Sequence, residues 1–460
     1  MLARLTALGY AVSVGHSPAT ANKVTGFDRV LALESVRFGP SLATRSEPLP
    51  VEDFGPAELI IDLTGTATVQ NVPVLKLRFC GCDDFAAGIS AMLSSGELPE
   101  IVSQLDGVAV GRARPMLSDR IWLSRMCNDL LAGAISLVVQ SVVRFFAGDL
   151  PPIAETVDRA PGSSFLPNYA VSLAKGLAGR ALQKLRSSGR PFYWQVAYRI
   201  IDGPDIAETG RLEGAPFTVL ADDGERFYAD PFVLEHDGHH YLFVEEFPYA
   251  RGRGVISVSK LGEDGRFGTP RAVLEEPHHL SYPQVFAEGG ELFMLPESGG
   301  AHELVLYRAE DFPNRWVRDS VLIAGRDFND ATLLQSGGRF WLFGTERFGY
   351  GSASDTMTVY SAASLRGPWE PHALNPIAID RSAARPGGAF IRQGGRLLLP
   401  VQDGSRAYGG GLGLMELVRV DDEDVVFAPP RPIVPGTAWA RNGIHTLNRT
   451  GRLEVVDSAG

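Results

Sequence analysis

Acidic side chains recur at fixed places in the second half of this chain. In YADPFVLEHDGHHYLFVEEF, from Tyr228, Asp230 opens one apolar run and Glu245 and Glu246 close the next. Asp330 takes the place of Asp230 in NDATLLQSGGRFWLFGTE, from Asn329, and Glu346 falls where Glu246 does. Glu297 matches Glu245 in SYPQVFAEGGELFMLPES, where Tyr282 stands in for the first acid. RPGGAFIRQGGRLLLPVQD, from Arg385, ends in Asp403, and NGIHTLNRTGRLEVVDS, from Asn442, contains His445 and follows Arg441. Carboxyl groups gathered with arginine and histidine suit the binding of sugar hydroxyls or acid/base catalysis. The candidate catalytic residues are Asp230, Asp330, Glu297 and Glu346; the candidate substrate-binding residues are Tyr282, Glu245, Arg385, Arg441 and His445. The competing reading has these acids cap turns or hold a structural cation. No organic cofactor is indicated.

The elements that would position them are hairpins. Each quoted segment is two apolar runs around a turn, the first marked by Asp237-Gly238, and such flanked Asp-Gly pairs signal a β-hairpin. By subtraction, Gly238, Gly290, Gly338, Gly395 and Gly451 lie 52, 48, 57 and 56 residues apart. That spacing fits four-stranded propeller blades, which repeat at about 40 to 50 residues. The count predicts a five-bladed β-propeller over residues 192–460. FYWQVAYRI, from Phe192, is expected to complete the last blade and close the ring, which removes open edges. In the outer strands Tyr307 matches Tyr360 and Trp316 matches Trp369; these aromatics are read as blade packing. His239-His240, beside the turn, is read as solvated, whereas one of His278-His279 is placed to reach the channel mouth.

Residues 1–150 alternate differently. Leu2 to Leu8 reads as a helix; AVSVGH, RVLALES, LIIDLTG and VLKLRF read as strands; Ile121 to Phe146 reads as a long helix stopped by Leu150-Pro151-Pro152. This pattern predicts an open, mainly parallel, Rossmann-like α/β domain. Residues 151–191 read as a linker carrying one amphipathic helix, Tyr169 to Leu185, basic toward its end at Lys175, Arg180, Lys184, Arg186 and Arg190.

Composition narrows the partners. A net charge of -11, from 54 acidic and 43 basic residues, disfavours binding to a phosphate backbone, so no nucleic acid is expected. Cys80, Cys82 and Cys127 lack zinc-site spacing and read as packing thiols in a reducing compartment, which places the protein in the cytoplasm. MLARLTALGY lacks a signal-peptide pattern, and the apolar window Leu130 to Phe146, interrupted by Gln140 and Arg144, is shorter than the roughly 20 residues of a bilayer span.

ADPFVLEHDGHHYLFVEEF, SYPQVF and GIHTLN resemble the N-terminal domain of plant glucosamine inositolphosphorylceramide transferases and its stand-alone bacterial relatives. The ADPF opening and GPWEPH, from Gly367, more distantly resemble the five-bladed propeller glycosidases, such as arabinanases, β-xylosidases and levansucrases. The glycosidase resemblance implies a catalytic carboxylate at Asp230, which becomes base or nucleophile, a second where this chain has Tyr282, and an acid at Asp330, where that family has Glu. A raised-pKa acid and an ionised carboxylate flanking a sugar bond remain available from Asp230 with Asp330, Glu297 or Glu346. In the N-terminal region, LIIDLTG and SGELPEIVSQLDGVAVGRARPMLSDR resemble a formyl-tetrahydrofolate-dependent formyltransferase domain. The resemblance requires a histidine near LRFCGCDD; Asp83 and Asp84 are there, but the domain's histidine is His16, so a degenerate scaffold is expected.

Three readings stay open: a carbohydrate-active enzyme that cleaves or transfers a glycosyl unit, acting on a carbohydrate, nucleotide sugar or glycolipid in cell-surface glycan metabolism; a non-catalytic glycan-binding scaffold; and a sugar N-formyltransferase. The oligomeric state is not fixed by the sequence.

Overall fold

The computed structural model describes residues 1–15, 24–44, 56–64, 71–154, 164–186, 192–439, 441 and 443–459. His16, Gly65, Arg190 and Asn442 lie outside the described residues. Contacts group the chain into two compact units, Met1–Gly189 with Phe348–Ser352, and Arg190–Arg347 with Ala353–Gly460.

The second unit is a β-propeller. Its described residues form five sheets, led by the strands Arg226–His236, Ser281–Glu288, Phe328–Ser336, Ile391–Gln393 and Thr446–Thr450. Each leading strand pairs antiparallel with the strand that follows it. The first four turns are glycine-rich for a reason: φ is positive at both turn residues in Asp237-Gly238, Gly289-Gly290, Gly337-Gly338 and Gly394-Gly395, as a type I′ hairpin demands. In the fifth sheet Thr450 pairs with Leu453, so Gly451 takes the first turn position instead of the second. The glycine-based alignment therefore slips by one residue there.

The strand from Phe192 does close the last sheet. Trp194–Ile200 pairs with Leu453–Ala459 along its whole length, from Trp194 opposite Ala459 to Ile200 opposite Leu453. Apolar clusters then join each sheet to the next. Phe232, Phe243 and Val258 pack with Tyr282, Met294 and Tyr307, and Trp316 lies in the same cluster. Phe293 and Leu306 pack with Phe328 and Leu342, and Trp369 lies against them. The third sheet meets the fourth through Phe343 and Leu399, the fourth meets the fifth through Leu398 and Val456, and the fifth meets the first through Val455 and Val244. Each wholly buried side chain in these clusters is worth about 1.5–3 kcal/mol of transfer free energy. The tryptophans are packing residues, as expected.

The first unit departs from the parallel α/β expectation. Ile60–Asp62 runs parallel to Val74–Phe79, but Val74–Phe79, Ile101–Leu105 and Val108–Ala113 are joined antiparallel. The last two are joined by a hairpin turn at Asp106-Gly107, both at positive φ, the same signal that marks the propeller hairpins, whereas Val74–Phe79 reaches Ile101–Leu105 through the helix Phe85–Ser95. RVLALES is not a strand. It lies in the helix Phe27–Phe38, where Phe27, Leu31 and Glu34 are buried while Leu33 and Val36 are exposed, a spacing of three to four residues instead of two. No strand is present in the described part of AVSVGH, residues 11–15.

Glu34 explains its burial. Its Oε1 and Oε2 accept the backbone N–H groups of Leu123 (3.1 Å) and Ser124 (2.7 Å), and its Oε1 accepts the Tyr169 hydroxyl. These contacts satisfy the orphan donors that open the helix Leu123–Phe146. That helix is long and apolar enough to cross a membrane by length and composition, and 72% of its most apolar window is buried inside the protein. It starts two residues later than the expected Ile121 and ends at Phe146 as expected, and its 24 residues exceed the apolar window Leu130 to Phe146. The amphipathic helix is longer than expected, Phe165–Arg186. Cys80, Cys82 and Cys127 are buried, unbridged thiols.

Candidate functional site

The site begins with a repeated backbone distortion. Asp230, Tyr282 and Asp330 have φ of 47°, 47° and 49°, and each sits where its leading strand shifts register against its partner: between Ala229 and Phe232, Ser281 and Gln284, and Asn329 and Thr332. These are β-bulges, which re-aim a side chain. Left-handed φ costs roughly 1–2 kcal/mol for a residue with a Cβ, and a bulky residue such as Tyr is an outlier there. The repeat therefore spends strain at one equivalent place in three sheets.

Hydrogen bonds from neighbouring sheets hold these bulges. Asp457 Oδ2 accepts the Asp230 N–H (2.9 Å), Asp230 Oδ2 accepts the Tyr282 N–H (3.2 Å), and Glu297 Oε2 accepts the Asp330 N–H (3.3 Å). The Tyr282 hydroxyl lies 2.8 Å from Thr332 Oγ1 and accepts the Gly388 N–H at 2.6 Å. Glycine is required at 388, since an added Cβ would lie 2.1 Å from the Leu447 carbonyl oxygen.

Two groupings of charge result. Arg385 donates Nε to Asp330 Oδ2 (2.6 Å) and Nη2 to Asp330 Oδ1 (3.1 Å), and Nη2 also reaches Glu297 Oε2 (3.3 Å). Gln402 Nε2 donates to the same Asp330 Oδ2 at 2.6 Å. In the second grouping, His445 Nδ1 lies 3.4 Å from both Asp230 Oδ1 and Asp457 Oδ2. Asp457 also accepts the Thr446 N–H and hydroxyl at 2.7 and 2.9 Å.

This wiring sorts the carboxyl groups by protonation. Burial pushes Asp230 well above the usual carboxylate range, and the charges of Asp457, Glu245, Asp330 and Glu297 add to it. Glu297 is also raised, by burial and then by Asp330, and Glu245 is raised to about 8 by burial and then by Asp457 and Asp330. Burial opposes ionisation of Asp330 as well, but the Arg385 charge and hydrogen bonds from Glu297 and Arg385 outweigh it and hold Asp330 below its ordinary value. For Asp457 the burial cost is outweighed by His445 and by the donors Asp230 N–H and Thr446, so it too is lowered. The surroundings thus favour the protonated forms of Asp230, Glu245 and Glu297 and the ionised forms of Asp330 and Asp457. The direction of the Asp230 shift favours a proton donor over the base or nucleophile expected of it.

The sequence-derived candidates do not all converge. Asp230, Tyr282, Glu297, Asp330, Arg385 and His445 do. Glu245 joins the rim, with Oε1 3.4 Å from His279 Nε2. His279 Nδ1 accepts the Gly254 N–H at 2.8 Å, so its proton lies on Nε2, facing Glu245. Glu346 does not join: Thr345 takes the place equivalent to Glu245 and Glu297, and successive strand side chains face opposite ways. Glu346 is tied to Arg326 (3.0 Å) and Tyr360 (3.3 Å). Glu246 is likewise spent on Arg226 and Ser257, and Asp403 accepts the Ser405 N–H in a turn. Arg441 is bound to the Ala459 carbonyl (3.1 Å) and to Gln195.

Four contributors were not identified from the sequence. Gln402 and Asp457 end the hairpins of the fourth and fifth sheets, where the glutamates end the earlier ones; looking for any polar residue there, beyond glutamate, would have found them. Tyr408 lies with its ring centroid 5.5 Å from the Arg385 guanidinium and 5.2 Å from the His445 ring, and Trp194 lies 4.5 Å from His445. Tyr408 is 48% exposed, an aromatic edge over an otherwise buried cluster. No local signal in the sequence marks these two rings.

Asp230, His445 and Asp457 present ligand atoms within 4.8 Å of one another, close enough to hold a cation. Both Asp457 oxygens already accept backbone N–H groups, so bracing the bulge is its evident task.

Residues 218–426 match the family model described as glucosamine inositolphosphorylceramide transferase 1, N-terminal. The chain is 32% identical over 249 residues to glucosamine inositolphosphorylceramide transferase 1 of Oryza sativa subsp. indica, covering 53% of this chain and 32% of the relative. It is 32% identical over 202 residues to the Arabidopsis thaliana protein of the same name, covering 43% and 26%. The chain spans about a third of the length of the curated relatives it matches. Similar solved structures include an exo-β-1,3-galactanase from Clostridium thermocellum, with TM-score 0.38, 12% identity, and 51% and 59% of the two chains covered. Another is the α-L-arabinanase of Cellvibrio cellulosa complexed with arabinohexaose, with TM-score 0.34, 17% identity, and 46% and 78% covered.

Proposed function

We propose that the five sheets are five blades of one ring and that the carboxyl cluster where their inner strands meet is a carbohydrate site that cleaves or transfers a glycosyl unit. One observation carries this reading. Asp230 is a buried carboxyl whose surroundings favour its protonated form and whose Oδ1, 3.4 Å from His445 Nδ1, makes no hydrogen bond among the described residues, beside an Asp330 that Arg385 holds toward its ionised form. A raised acid and an ionised carboxylate are the pair that glycosyl chemistry uses. In this reading the glycosyl bond breaks as Asp230 donates a proton to the leaving oxygen, water or an acceptor hydroxyl bonds to the anomeric carbon and returns its proton to Asp230, Asp330 with Arg385 stabilises developing positive charge and orients hydroxyls, and Tyr408 offers an aromatic face to a sugar ring. The match to a glycolipid glycosyltransferase domain favours a sugar on a lipid or nucleotide carrier, in cell-surface glycan metabolism, and the three buried cysteines favour the reducing cytoplasm.

A specific observation favours a second reading, a glycan-binding scaffold without turnover. Both Asp330 oxygens are taken up by Arg385 and Gln402, and Tyr282 stands where the glycosidase resemblance implies an acid. The N-formyltransferase alternative gains no support from an N-terminal sheet with a single parallel pair.

Incubation with a panel of glycosides, glycolipids and nucleotide sugars, followed by mass spectrometry, separates the first two readings. A new glycosyl product is expected. Saturable sugar binding with no product in any mixture would replace the enzyme by the scaffold.

A further inference from the structure

The helix Phe165–Arg186 is mounted in the reverse of the usual sense. Its docked edge is mixed and small: Phe165 and Tyr169 are buried, Asn168 Nδ2 donates to Ser94 Oγ at 2.6 Å, and Gly176 lies so close to Ile121 that an added Cβ would stand 2.6 Å from its Cγ1. Among the described residues the opposite face is apolar and exposed. Leu166, Val171, Leu177, Leu182 and Leu185 are 46%, 53%, 44%, 47% and 80% exposed. At about 100° per residue these five fall on one arc of roughly 160°, and the alanines that share the arc, Ala170, Ala174, Ala178 and Ala181, are exposed too. A helix in a globular protein ordinarily turns such a stripe inward, and a continuous apolar face left open marks a surface to be covered.

The charges say by what. The helix sequence contains no Asp or Glu in a chain of net charge -11, and its basic residues border the arc. On the same wheel Lys184 falls beside Leu166, and Lys175 falls about 20° beyond Leu182. Arg180, further round, is held by Asp119 at 2.9 Å. An apolar arc with lysines along both edges has the form of a helix lying in the plane of an anionic membrane surface, with leucines in the acyl boundary and lysine stems reaching up to the headgroups. We infer that Phe165–Arg186 seats this protein peripherally on an anionic lipid surface. The inference does not depend on the chemistry of the carboxyl cluster.

Vesicle flotation of the full chain tests it, using phosphatidylcholine vesicles with and without phosphatidylserine. The chain is expected to float with the serine-containing vesicles, to stay down with the neutral ones, and to be released by salt. The double variant Leu177→Gln, Leu182→Gln alters exposed positions, and an unchanged circular-dichroism spectrum and melting temperature confirm its fold. Its partitioning should fall at least about tenfold. Failure to float with anionic vesicles, or equal flotation of the variant, overturns the inference. So does a stable dimer in sedimentation equilibrium that the double variant splits, which would make this face an interface between copies of the chain.

Discussion

Arg385 grips Asp330 with two hydrogen bonds, Nε to Oδ2 at 2.6 Å and Nη2 to Oδ1 at 3.1 Å, across the boundary between the third and fourth sheets. A fork meeting a carboxylate in this way fixes both partners in orientation. It also holds Asp330 toward its ionised form against a burial that opposes ionisation.

Breaking that pair should be costly. Arg385→Met strands a buried carboxylate and is expected to destabilise the propeller by about 3–5 kcal/mol. Arg385→Lys keeps the charge but loses the fork and should recover only part of the loss. Denaturant unfolding measures both; a loss within error for Arg385→Met would mean that Asp330 is not held by this pair.

Tyr282→Phe removes only the hydroxyl that accepts the Gly388 N–H and lies against Thr332 Oγ1. Leaving a buried N–H without its acceptor costs about 1–3 kcal/mol, and the same denaturant experiment reads it. The variant should also bind sugar as the parent does, because the hydroxyl is spent inside the protein.

Stability should decline with rising pH. Glu245 is raised from 4.5 to about 8, so the folded protein holds a proton that the unfolded chain releases. The stabilisation is whole below about pH 4.5 and is lost as pH climbs through about 8. Asp230 and Glu297, also raised, push in the same direction, whereas the lowered Asp330 and Asp457 act only in acid. Glu245→Gln should flatten part of the decline in melting temperature between pH 5 and 9; an unchanged slope would remove Glu245 from the titrating set.

The propeller was legible because its hairpins obey local rules. Positive φ at paired turn residues selects Gly or Asp, and those letters recur at a readable spacing. The strand that completes the fifth sheet was legible too, as an apolar run at Trp194 ahead of the first hairpin. The same turn rule at Asp106-Gly107 marks one antiparallel pairing of the N-terminal sheet, while the pairing of Val74–Phe79 with Ile101–Leu105 across a helix leaves no such local signal. RVLALES misled because a short apolar run reads equally as strand or helix; what decided it was Glu34 reaching across to cap another helix, a tertiary contact. In the site, equivalent positions located Asp230, Glu297 and Asp330, but protonation depends on which charges face which. Those charges, which favour the protonated form of Asp230, come in part from Asp457, and the site also draws Tyr408, both from distant segments.

The most direct test of the central claim is Asp230→Asn, assayed beside the parent for glycosyl product and for sugar binding, with thermal unfolding as the control for folding. The amide keeps shape and the Oδ acceptor for the Tyr282 N–H but cannot deliver a proton. The account predicts that product formation falls by at least about a hundredfold, the range of general acid catalysis, while binding and melting temperature hold. Full turnover in a folded Asp230→Asn protein would contradict it, and the carboxyl cluster would then be a framework and not the site of chemistry.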